Sequence, residues 1–386
     1  MTNSHAIRAA LASSVIATLL VAGCSSAAKN KKESRRPSGD TRRLAAQLKA
    51  YYAGTDRALP ASGPKAQSKK KVWVLSCSSA APGCAIPANA AMRAGKAIGW
   101  NMTVVDGKFD PNVQSSQVRA AIAAHADALI TVAVDCPAIA GPLQEAVNAH
   151  MKVMSVYGYD CNNSYNNGKS LYSAELSFGK DKNYEALIKD VVSRAIAGYI
   201  ARSGDKPEII EFRENDLLVA RSIADGFDDR IKACANCTVR TVTFTGQDVV
   251  SASALQQKAS AALTRYPNAT VVMAPYDATI LLGIGGAVEQ ARATGRHIVL
   301  TGGEGLAPNL ELIKKGTQQF AVGLPAEWAG WAVVDGVNRL FAGAPQVDEG
   351  IGVKIVDATH PAGCRPFVAG KCVDYQAHYR ALWGVN

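Results

Sequence analysis

From Lys71 onward the chain alternates short apolar runs with longer alanine-rich segments, and this alternation limits it to few folds. The runs at 71–76, 102–106, 127–135 and 151–160 are almost continuous in apolar side chains. Parallel strands that are covered on both faces have this composition. Between the runs, apolar positions recur at helical spacing, and a second series of runs begins near residue 207. The pattern predicts an α/β fold with two doubly wound lobes joined by a hinge.

The length of the alternating region also predicts how the chain is divided. Residues 71–174 and 325–354 are expected to form an N-terminal lobe, and residues 175–324 and 355–386 a C-terminal lobe. The segment at about 169–180 is expected to cross between them. Because ligands bind beyond the carboxyl ends of strands in open α/β sheets, the loops after the strands should face a cleft.

The first residues have the pattern of an exported lipoprotein. Arg8 precedes an apolar stretch, Ala9 to Ala22, which is shorter than the roughly 20 residues that span a bilayer. Residues 20–24 read Leu-Val-Ala-Gly-Cys and resemble a bacterial lipobox. We therefore expect residues 1–23 to be a signal peptide and Cys24 to be lipidated. The alternative is an ordinary cleaved signal that happens to precede a cysteine.

The formal charge of +10 comes from one end of the chain. Residues 1–71 contain 14 Lys/Arg and 3 Asp/Glu, and the remaining residues have a net charge of −1. The composition predicts that residues 24–70 are a basic, disordered linker behind the lipid anchor. Its basic groups either lie against anionic headgroups or are simply solvated. Since the rest of the chain is nearly neutral, no nucleic-acid partner is expected.

Apart from Cys24, the chain has eight cysteines, and an even number in an exported protein favours disulfides. Three pairs are close in sequence, whereas the fourth pair is separated by a strand–helix–strand unit. The cysteines concerned are Cys77 and Cys84, Cys234 and Cys237, Cys364 and Cys372, and Cys136 and Cys161. The spacing of Cys234 and Cys237 also suits a redox pair or half a zinc site. It lacks a second such motif or a nearby histidine, so no metal is expected.

Five segments match known motifs in sequence order. Asp106 and the residues after it are similar to the pattern LDSQNDPAKQ, and residues 219–227 resemble AARERGEGF. Residues 274–277, 301–305 and 322–325 stand where AQND, VGFDG and IAQLP are usual. Together the five segments resemble the type I periplasmic binding proteins, especially the sugar-binding proteins of ABC importers, in which the first arginine of AARERGEGF commonly touches the ligand.

The ligand-facing positions depart from that family. The loop at 76–79 lacks stacking aromatics, Tyr157 and Gly158 replace an Asp-Arg pair, Glu304 replaces an aspartate and Gly323 a glutamine. An unmatched buried polar group costs about 1–3 kcal/mol, so these losses argue against an ordinary pentose or hexose. An aromatic-walled pocket is the alternative. The tyrosines and tryptophan that could build it are Tyr157, Tyr159, Tyr276 and Trp328.

Candidate ligand contacts are expected on both lobes, because only a ligand that contacts both can shift a hinge equilibrium. Arg221 could hold hydroxyls or a carboxylate, or form a surface ion pair. Asp277 could instead cap a helix, and Asp135 has the same alternative. The predicted set is Ser78, Asp135, Tyr157, Arg221, Tyr276, Asp277, Glu304 and Trp328.

The resemblance implies a monomeric solute receptor that closes on a small molecule and passes it to an ABC permease. A sugar-like or polyol solute is expected, with a less polar aromatic or terpenoid ring compound as the alternative. A sensor that reports to a membrane receptor is the second function. No enzyme and no cofactor are expected, since the chain has no GxSxG elbow and its glycines at 283–286 lack the third glycine of a dinucleotide site. The expected location is extracytoplasmic, anchored to the cell membrane.

Overall fold

The computed structural model describes residues 39–386 apart from 180, 181, 205 and 252. The predicted signal peptide 1–23, the predicted lipidation site Cys24 and the linker up to residue 38 lie outside the described residues. Among the described helices, none combines the length and the apolar composition that a membrane span requires.

Two parallel sheets form the body of the chain, as the two series of apolar runs predict. The first has the order β2-β1-β3-β4-β5 and the second the order β7-β6-β8-β9. The strands of the first sheet are β1 (Lys71–Ser76), β2 (Asn101–Asp106), β3 (Ala128–Val132), β4 (Lys152–Val156) and β5 (Ala174–Glu175). Those of the second sheet are β6 (Glu208–Glu214), β7 (Thr238–Phe244), β8 (Val271–Ala274) and β9 (Val299–Gly302).

Four short strands form two antiparallel pairs outside these sheets. β10 (Ala321–Gly323) pairs with β11 (Lys354–Val356), and β12 (Phe367–Val368) pairs with β13 (Lys371–Cys372). The pair β10-β11 lies where the chain passes from the end of the second sheet towards the helices that cover the first.

Helices occupy the segments between strands. They are α1 (Gly39–Ala53), α2 (Pro82–Ala97), α3 (Pro111–Ala123), α4 (Ala140–Asn148), α5 (Tyr184–Leu187), α6 (Ser193–Ile200), α7 (Leu218–Ile231), α8 (Gly246–Val250), α9 (Ala254–Arg265), α10 (Asp277–Thr279), α11 (Gly285–Ala293), α12 (Ala307–Lys315), α13 (Ala326–Ala342) and α14 (Tyr375–Trp383). A 3₁₀ turn, Cys136–Ile139, precedes α4. The π-helical segments Ile188–Val192 and Ile280–Ile284 join α5 to α6 and α10 to α11.

The inner strands of each sheet, such as β3 and β8, are buried on both faces, which explains why their residues are almost all apolar, whereas the edge strand β7 exposes polar side chains. Along β1, Val72 and Val74 pack with one group of core residues and Leu75 with another. On β6, Ile209 and Ile210 divide between the same two groups. Side chains of a strand point alternately to opposite faces, so a strand buried on both faces needs apolar residues at every position.

The helix α13 covers the first sheet, and the C-terminal helix α14 packs against α13. Gly330 lies so close to α2 that a Cβ atom would come within 2.5 Å of the Pro87 carbonyl oxygen. The rings of Trp331 and Trp383 stack with centroids 5.7 Å apart. The Trp383 indole N–H donates to Asp335 over 2.7 Å. Residues 375–383 were expected in the C-terminal lobe, and this packing corrects that expectation; the rest of the division stays a prediction.

Residues 39–70, here called the N-terminal strap, are packed against the body of the protein. α1 contacts α6 and β11, and its Leu48 is 1% exposed. Further along, the Ser62 carbonyl accepts a hydrogen bond from Arg339 on α13. The strap therefore contacts α6 and β11 at one end and α13 at the other. The expectation of disorder for 24–70 is wrong for this part, because Leu48 and Leu59 are buried and Asp56 and Arg57 pair with residues distant in sequence.

One group of such partners lies at the middle of the strap. Asp56 accepts a hydrogen bond from Arg365 Nε over 2.7 Å, and Arg57 Nε donates to Asp348 over 2.8 Å. The Thr55 amide donates to the Val353 carbonyl over 3.0 Å. The sequence suggests that Asp56 and Arg57 are solvated, but in the structure their ion pairs hold the strap beside β11.

The structure brings the eight described cysteines together in the same four pairs that the sequence suggests. Sequence separations are 7, 25, 3 and 8 residues, and Cα–Cα distances are 5.6, 5.0, 5.4 and 5.9 Å. These distances lie in the range of disulfides. The pairs are Cys77–Cys84, Cys136–Cys161, Cys234–Cys237 and Cys364–Cys372.

Candidate functional site

The loops after the strands of both sheets meet around one cavity of about 50 Å³, here called the inter-lobe cavity. From the first sheet come Cys77, Phe109, Ala133 and Tyr157, each beyond the carboxyl end of a strand. From the second come residues 217–223, 275–276 and 303–304. This is the position that the strand order predicts for a ligand.

The lining of the inter-lobe cavity is mainly apolar and aromatic. Its side chains include Phe109, Leu217, Val219, Ile223, Pro275, Val322 and Leu324, with Ile188 and Val192 from the π-helical segment. The polar side chains are few: the carboxylate of Glu304 and the hydroxyls of Tyr157, Tyr184 and Tyr276. Such a lining favours a ligand with a large apolar surface and a small number of polar groups.

Two of the tyrosine hydroxyls are buried without a hydrogen-bond partner among the described residues. They belong to Tyr157, which is 6% exposed, and Tyr276, which is 8% exposed. An unpaired buried hydroxyl is unfavourable in a folded protein. A polar group of a ligand in the cavity would satisfy such a hydroxyl; for Tyr276 the nearby Glu214 carboxylate is a second acceptor.

Backbone geometry fixes the direction of Tyr157. It follows β4 with φ of 66°, a left-handed conformation that is rare for residues with a side chain. Its ring packs against Tyr184, with centroids 5.1 Å apart, and against Phe178, with centroids 6.2 Å apart. Burial raises the pKa of the Tyr157 hydroxyl, so it remains a donor. The sequence prediction that Tyr157 and Tyr276 belong to a pocket wall agrees with this placement.

Glu304 lies between the two halves of the cavity. Its Oε2 accepts a hydrogen bond from the Asp277 amide over 2.8 Å, and its Oε1 lies against Gly83 in the first turn of α2. A Cβ atom at position 83 would displace this carboxylate oxygen. Burial raises the pKa of Glu304 to about 6, which makes it the titratable group of the cavity lining closest to neutrality.

Asp277 is placed beneath the cavity rather than in its wall. The carboxylate is fully buried and accepts hydrogen bonds from the Glu304 amide over 3.0 Å and the Leu306 amide over 2.7 Å. Burial, and then the nearby Glu304 carboxylate, hold the pKa of Asp277 well above its ordinary range. Asp277 therefore shapes the loop that carries Glu304.

Asp135 also serves the backbone. It is 6% exposed, and its two oxygens accept hydrogen bonds from the amides of Tyr159 and Leu218. Burial raises its pKa to about 6. Since Leu218 begins α7 beside the second sheet, Asp135 links the two halves of the molecule without lining the inter-lobe cavity.

The other predicted contacts lie elsewhere. Arg221 is exposed, with its guanidinium 4.6 Å from the ring centroid of Tyr165. Ser78 is buried and its hydroxyl accepts a hydrogen bond from the Ala80 amide over 3.2 Å. Trp328 is 1% exposed in the core below α13, where its indole N–H donates to Tyr379 over 3.3 Å. Of the predicted set, Tyr157, Tyr276 and Glu304 are brought together.

Several lining residues carry no signal in the sequence. Tyr184, Ile188 and Val192 follow the crossover segment, where apolar residues at helical spacing indicate a core-facing helix. Leu217 and Ile223 have the same ambiguity. Only the way that the two lobes are opposed turns these side chains towards a cavity.

Two parallel α/β sheets whose carboxyl edges surround an apolar cavity define a two-lobed solute-binding protein. The periplasmic binding protein domain matches residues 74–345, and the chain belongs to this family. It is a ligand-binding protein of the extracytoplasmic type and not an enzyme. No curated protein matches the chain.

Several solved structures share the fold. One is an ABC sugar transporter subunit from Rhodobacter sphaeroides 2.4.1, with a TM-score of 0.62, 16% identity, and coverage of 75% of this chain and 98% of that one. Another is an ABC transporter solute-binding protein from Agrobacterium vitis with bound allitol, with a TM-score of 0.60, 17% identity, and coverage of 75% and 96%. A third, from Mycobacterium smegmatis in complex with β-D-fucofuranose, has a TM-score of 0.61, 17% identity, and coverage of 82% and 98%.

Proposed function

We propose that the chain is the solute receptor of an ABC importer, anchored outside the cytoplasm through lipidated Cys24, and that it closes on a small, mainly apolar ring compound. The family match and the sugar-transporter relatives support the receptor role. The apolar lining of the inter-lobe cavity supports the class of ligand. The sensor role inferred from the sequence stays a prediction.

The lining argues against a simple sugar. A hexose presents several hydroxyls, and each one that is buried without a partner costs about 1–3 kcal/mol. In the cavity wall, polar side chains are limited to Glu304 and three tyrosines, against at least nine apolar ones. A ring compound with one or two hydroxyl or carbonyl groups matches this balance, because the unpaired hydroxyls of Tyr157 and Tyr276 can each serve one such group.

The size of the cavity couples binding to hinge motion. A volume of about 50 Å³ is small for a ligand site, since pockets that hold small molecules usually measure about 300–1,000 Å³. A ring compound is larger and therefore enters only when the lobes separate. Since it then contacts both lobes, it can shift the hinge equilibrium towards the closed form.

A thermal-shift screen tests the class of ligand. The panel contains 2-naphthol, borneol, glucose, arabinose and allitol. At about a hundredfold excess over its dissociation constant, a ligand stabilises the protein by about 2.7 kcal/mol, which raises the Tm by several degrees. We expect this shift with the ring compounds. A shift with the sugars or allitol alone would show that the proposed class is wrong.

A pair of variants tests whether a ligand found in the screen binds in the inter-lobe cavity. Tyr276→Phe removes an unpaired hydroxyl from the wall, whereas Tyr266→Phe changes a tyrosine that does not line the cavity. We expect Tyr276→Phe alone to weaken binding of a hydroxylated ring compound, by about five- to tenfold for one lost hydrogen bond. Equal affinity of the two variants would exclude this hydroxyl as a ligand contact.

A further inference from the structure

A second cavity, of about 390 Å³, lies beside the inter-lobe cavity and is here called the outer cavity. It is enclosed by the end of β4, by β5 and by the loop between them, together with the start of α5. Its lining is polar, in contrast to that of its neighbour. The polar side chains include those of Asn162, Ser164, Ser173, Glu175, Asn183 and Glu185.

The two cavities share one aromatic wall. Tyr157 and Tyr184 line both of them, and their ring centroids are 5.1 Å apart. Phe178, which lines the outer cavity, packs against Tyr184 with centroids 5.2 Å apart. The space for an apolar group and the space for a polar group therefore both border the side chains of Tyr157 and Tyr184, and the hydroxyl of Tyr157 is buried and unpaired.

We propose that the inter-lobe and outer cavities are two compartments of one binding site, and that its ligand is a ring compound joined to a neutral polyhydroxyl group such as a glycosyl unit. This rests on the proposed function, which supplies the ring compound. The rings of Tyr157 and Tyr184 separate to admit the linkage. The apolar part then lies between the lobes, and the hydroxyls lie among the asparagine, serine and glutamate side chains of the outer cavity.

The charges of the outer cavity select a neutral group. Asp160, Glu175 and Glu185 all line it, and an anionic substituent would face three carboxylates. Asp160 is already used, because its Oδ1 accepts hydrogen bonds from the amides of Cys161 and Leu171 over 2.7 and 3.0 Å. Glu185 pairs with Lys189 over 2.9 Å.

Glu175 differs from these two carboxylates. Its side chain is exposed to solvent and makes no hydrogen bond within the part of the chain that the structure describes, and partial desolvation followed by the charges of Asp160 and Glu185 raises its pKa. Its carboxylate is therefore available to accept hydrogen bonds from ligand hydroxyls.

Calorimetry with the purified chain tests the two-compartment site. The four probes are 2-naphthol, 2-naphthyl-β-D-glucoside, 2-naphthyl-β-D-glucuronide and glucose. We expect the glucoside to bind about tenfold more tightly than naphthol, since even one net hydrogen bond gives about this gain. The glucuronide differs from the glucoside by a carboxylate, so we expect it to lose most of the gain.

Two variants test whether the discrimination between the glucoside and the glucuronide arises in the outer cavity. Glu175→Gln removes a negative charge from the outer cavity and should narrow the difference between glucoside and glucuronide. Glu311→Gln is the matched control, because Glu311 lines neither cavity. The same narrowing in both variants would mean that the discrimination does not arise in the outer cavity, and would overturn the assignment.

The probes also separate this inference from the function on which it rests. Equal affinity for naphthol and its glucoside overturns the two-compartment site and leaves the proposed ring compound intact. Binding of glucose without any binding of naphthol or the glycosides overturns the ring compound itself. Binding of none of the four overturns both.

Discussion

The carboxylate of Asp135 accepts a hydrogen bond over 2.8 Å from the amide of Leu218, a residue on the opposite side of the cleft. Leu218 begins α7, and the first amides of a helix have no partner within it. The second oxygen accepts from the Tyr159 amide over 3.1 Å. One buried side chain thus caps a helix of the other lobe while holding the loop after β4.

Replacing Asp135 by asparagine should therefore destabilise the protein. An amide retains one acceptor and turns its NH₂ group towards a second N–H donor, which leaves a buried amide unpaired at a cost of about 1–3 kcal/mol. Urea unfolding measures the loss. Asp110→Asn is the control, since Asp110 caps α3 within one lobe and asparagine caps as well as aspartate. Equal losses in both variants would contradict the bridging role.

Stability should fall as the pH rises from about 5 to about 8. Burial, with a contribution from Asp216, raises the pKa of Glu214 from 4.5 to about 8. Its neutral form is thus favoured by folding, so its contribution is fully present below the unfolded pKa and is lost as the pH rises through the folded pKa. Asp135 and Glu304, with pKa values raised to about 6, act in the same direction at lower pH.

The variant Glu214→Gln distinguishes the contribution of Glu214 to the pH dependence of stability from those of Asp135 and Glu304. A glutamine does not titrate, so the decrease above about pH 6, of at least about 2 kcal/mol in wild type, should largely disappear. Urea unfolding at several pH values checks this, and Glu311→Gln should retain the wild-type slope. A wild-type protein that becomes more stable over this range would disprove the burial of a neutral Glu214.

Removing the carboxylate that holds the strap should cost more than removing an exposed one. The side chains of Arg365 and Asp56 are 12% and 3% exposed, and Arg365 also donates to the Gly323 carbonyl over 3.1 Å. Asp56→Ala leaves the guanidinium without its counter-charge, and we expect a loss of about 2 kcal/mol in unfolding free energy. Asp229→Ala, which breaks an exposed pair with Lys232, should cost less than about 1 kcal/mol. The reverse order would argue against a packed strap.

The disulfide with the longest loop should contribute most to stability. Cys136 and Cys161 are separated by 25 residues and Cys234 and Cys237 by 3. Loop-closure entropy predicts that replacing the first pair by alanine costs about 3 kcal/mol, and the second about half of this. Unfolding of the two double variants provides the comparison. If the short loop contributed as much as the long one, effects other than chain entropy would dominate.

Lipid attachment should depend on one side chain. In the native bacterial host, Cys24→Ala should remove the acyl group and release the protein from the membrane fraction, because stable anchoring requires an acyl chain together with a second signal. Metabolic labelling with a fatty-acid analogue and fractionation measure both effects. Labelling that persists in the variant would place the modification elsewhere.

The sequence alone predicted the two series of parallel strands, and it suggested four cysteine pairs without fixing their connectivity. The strands can be predicted because a sheet covered on both faces requires apolar residues at consecutive positions, which is a local pattern in the sequence. The positions of Tyr157, Tyr276 and Glu304 near a ligand site could also be predicted from the sequence, since residues that follow the strands of an α/β sheet face the ligand side.

Only the tertiary structure decided which residues distant in sequence pair with each other and which side chains line the cavity. Asp56 looks like part of a solvated linker until it meets Arg365, 309 positions away. Ile188 and Val192 are core residues that also line the inter-lobe cavity, whereas Trp328, which was expected in a pocket wall, is buried away from that cavity. Burial depends on which elements are opposed in space, and a local pattern of side chains carries no information about that.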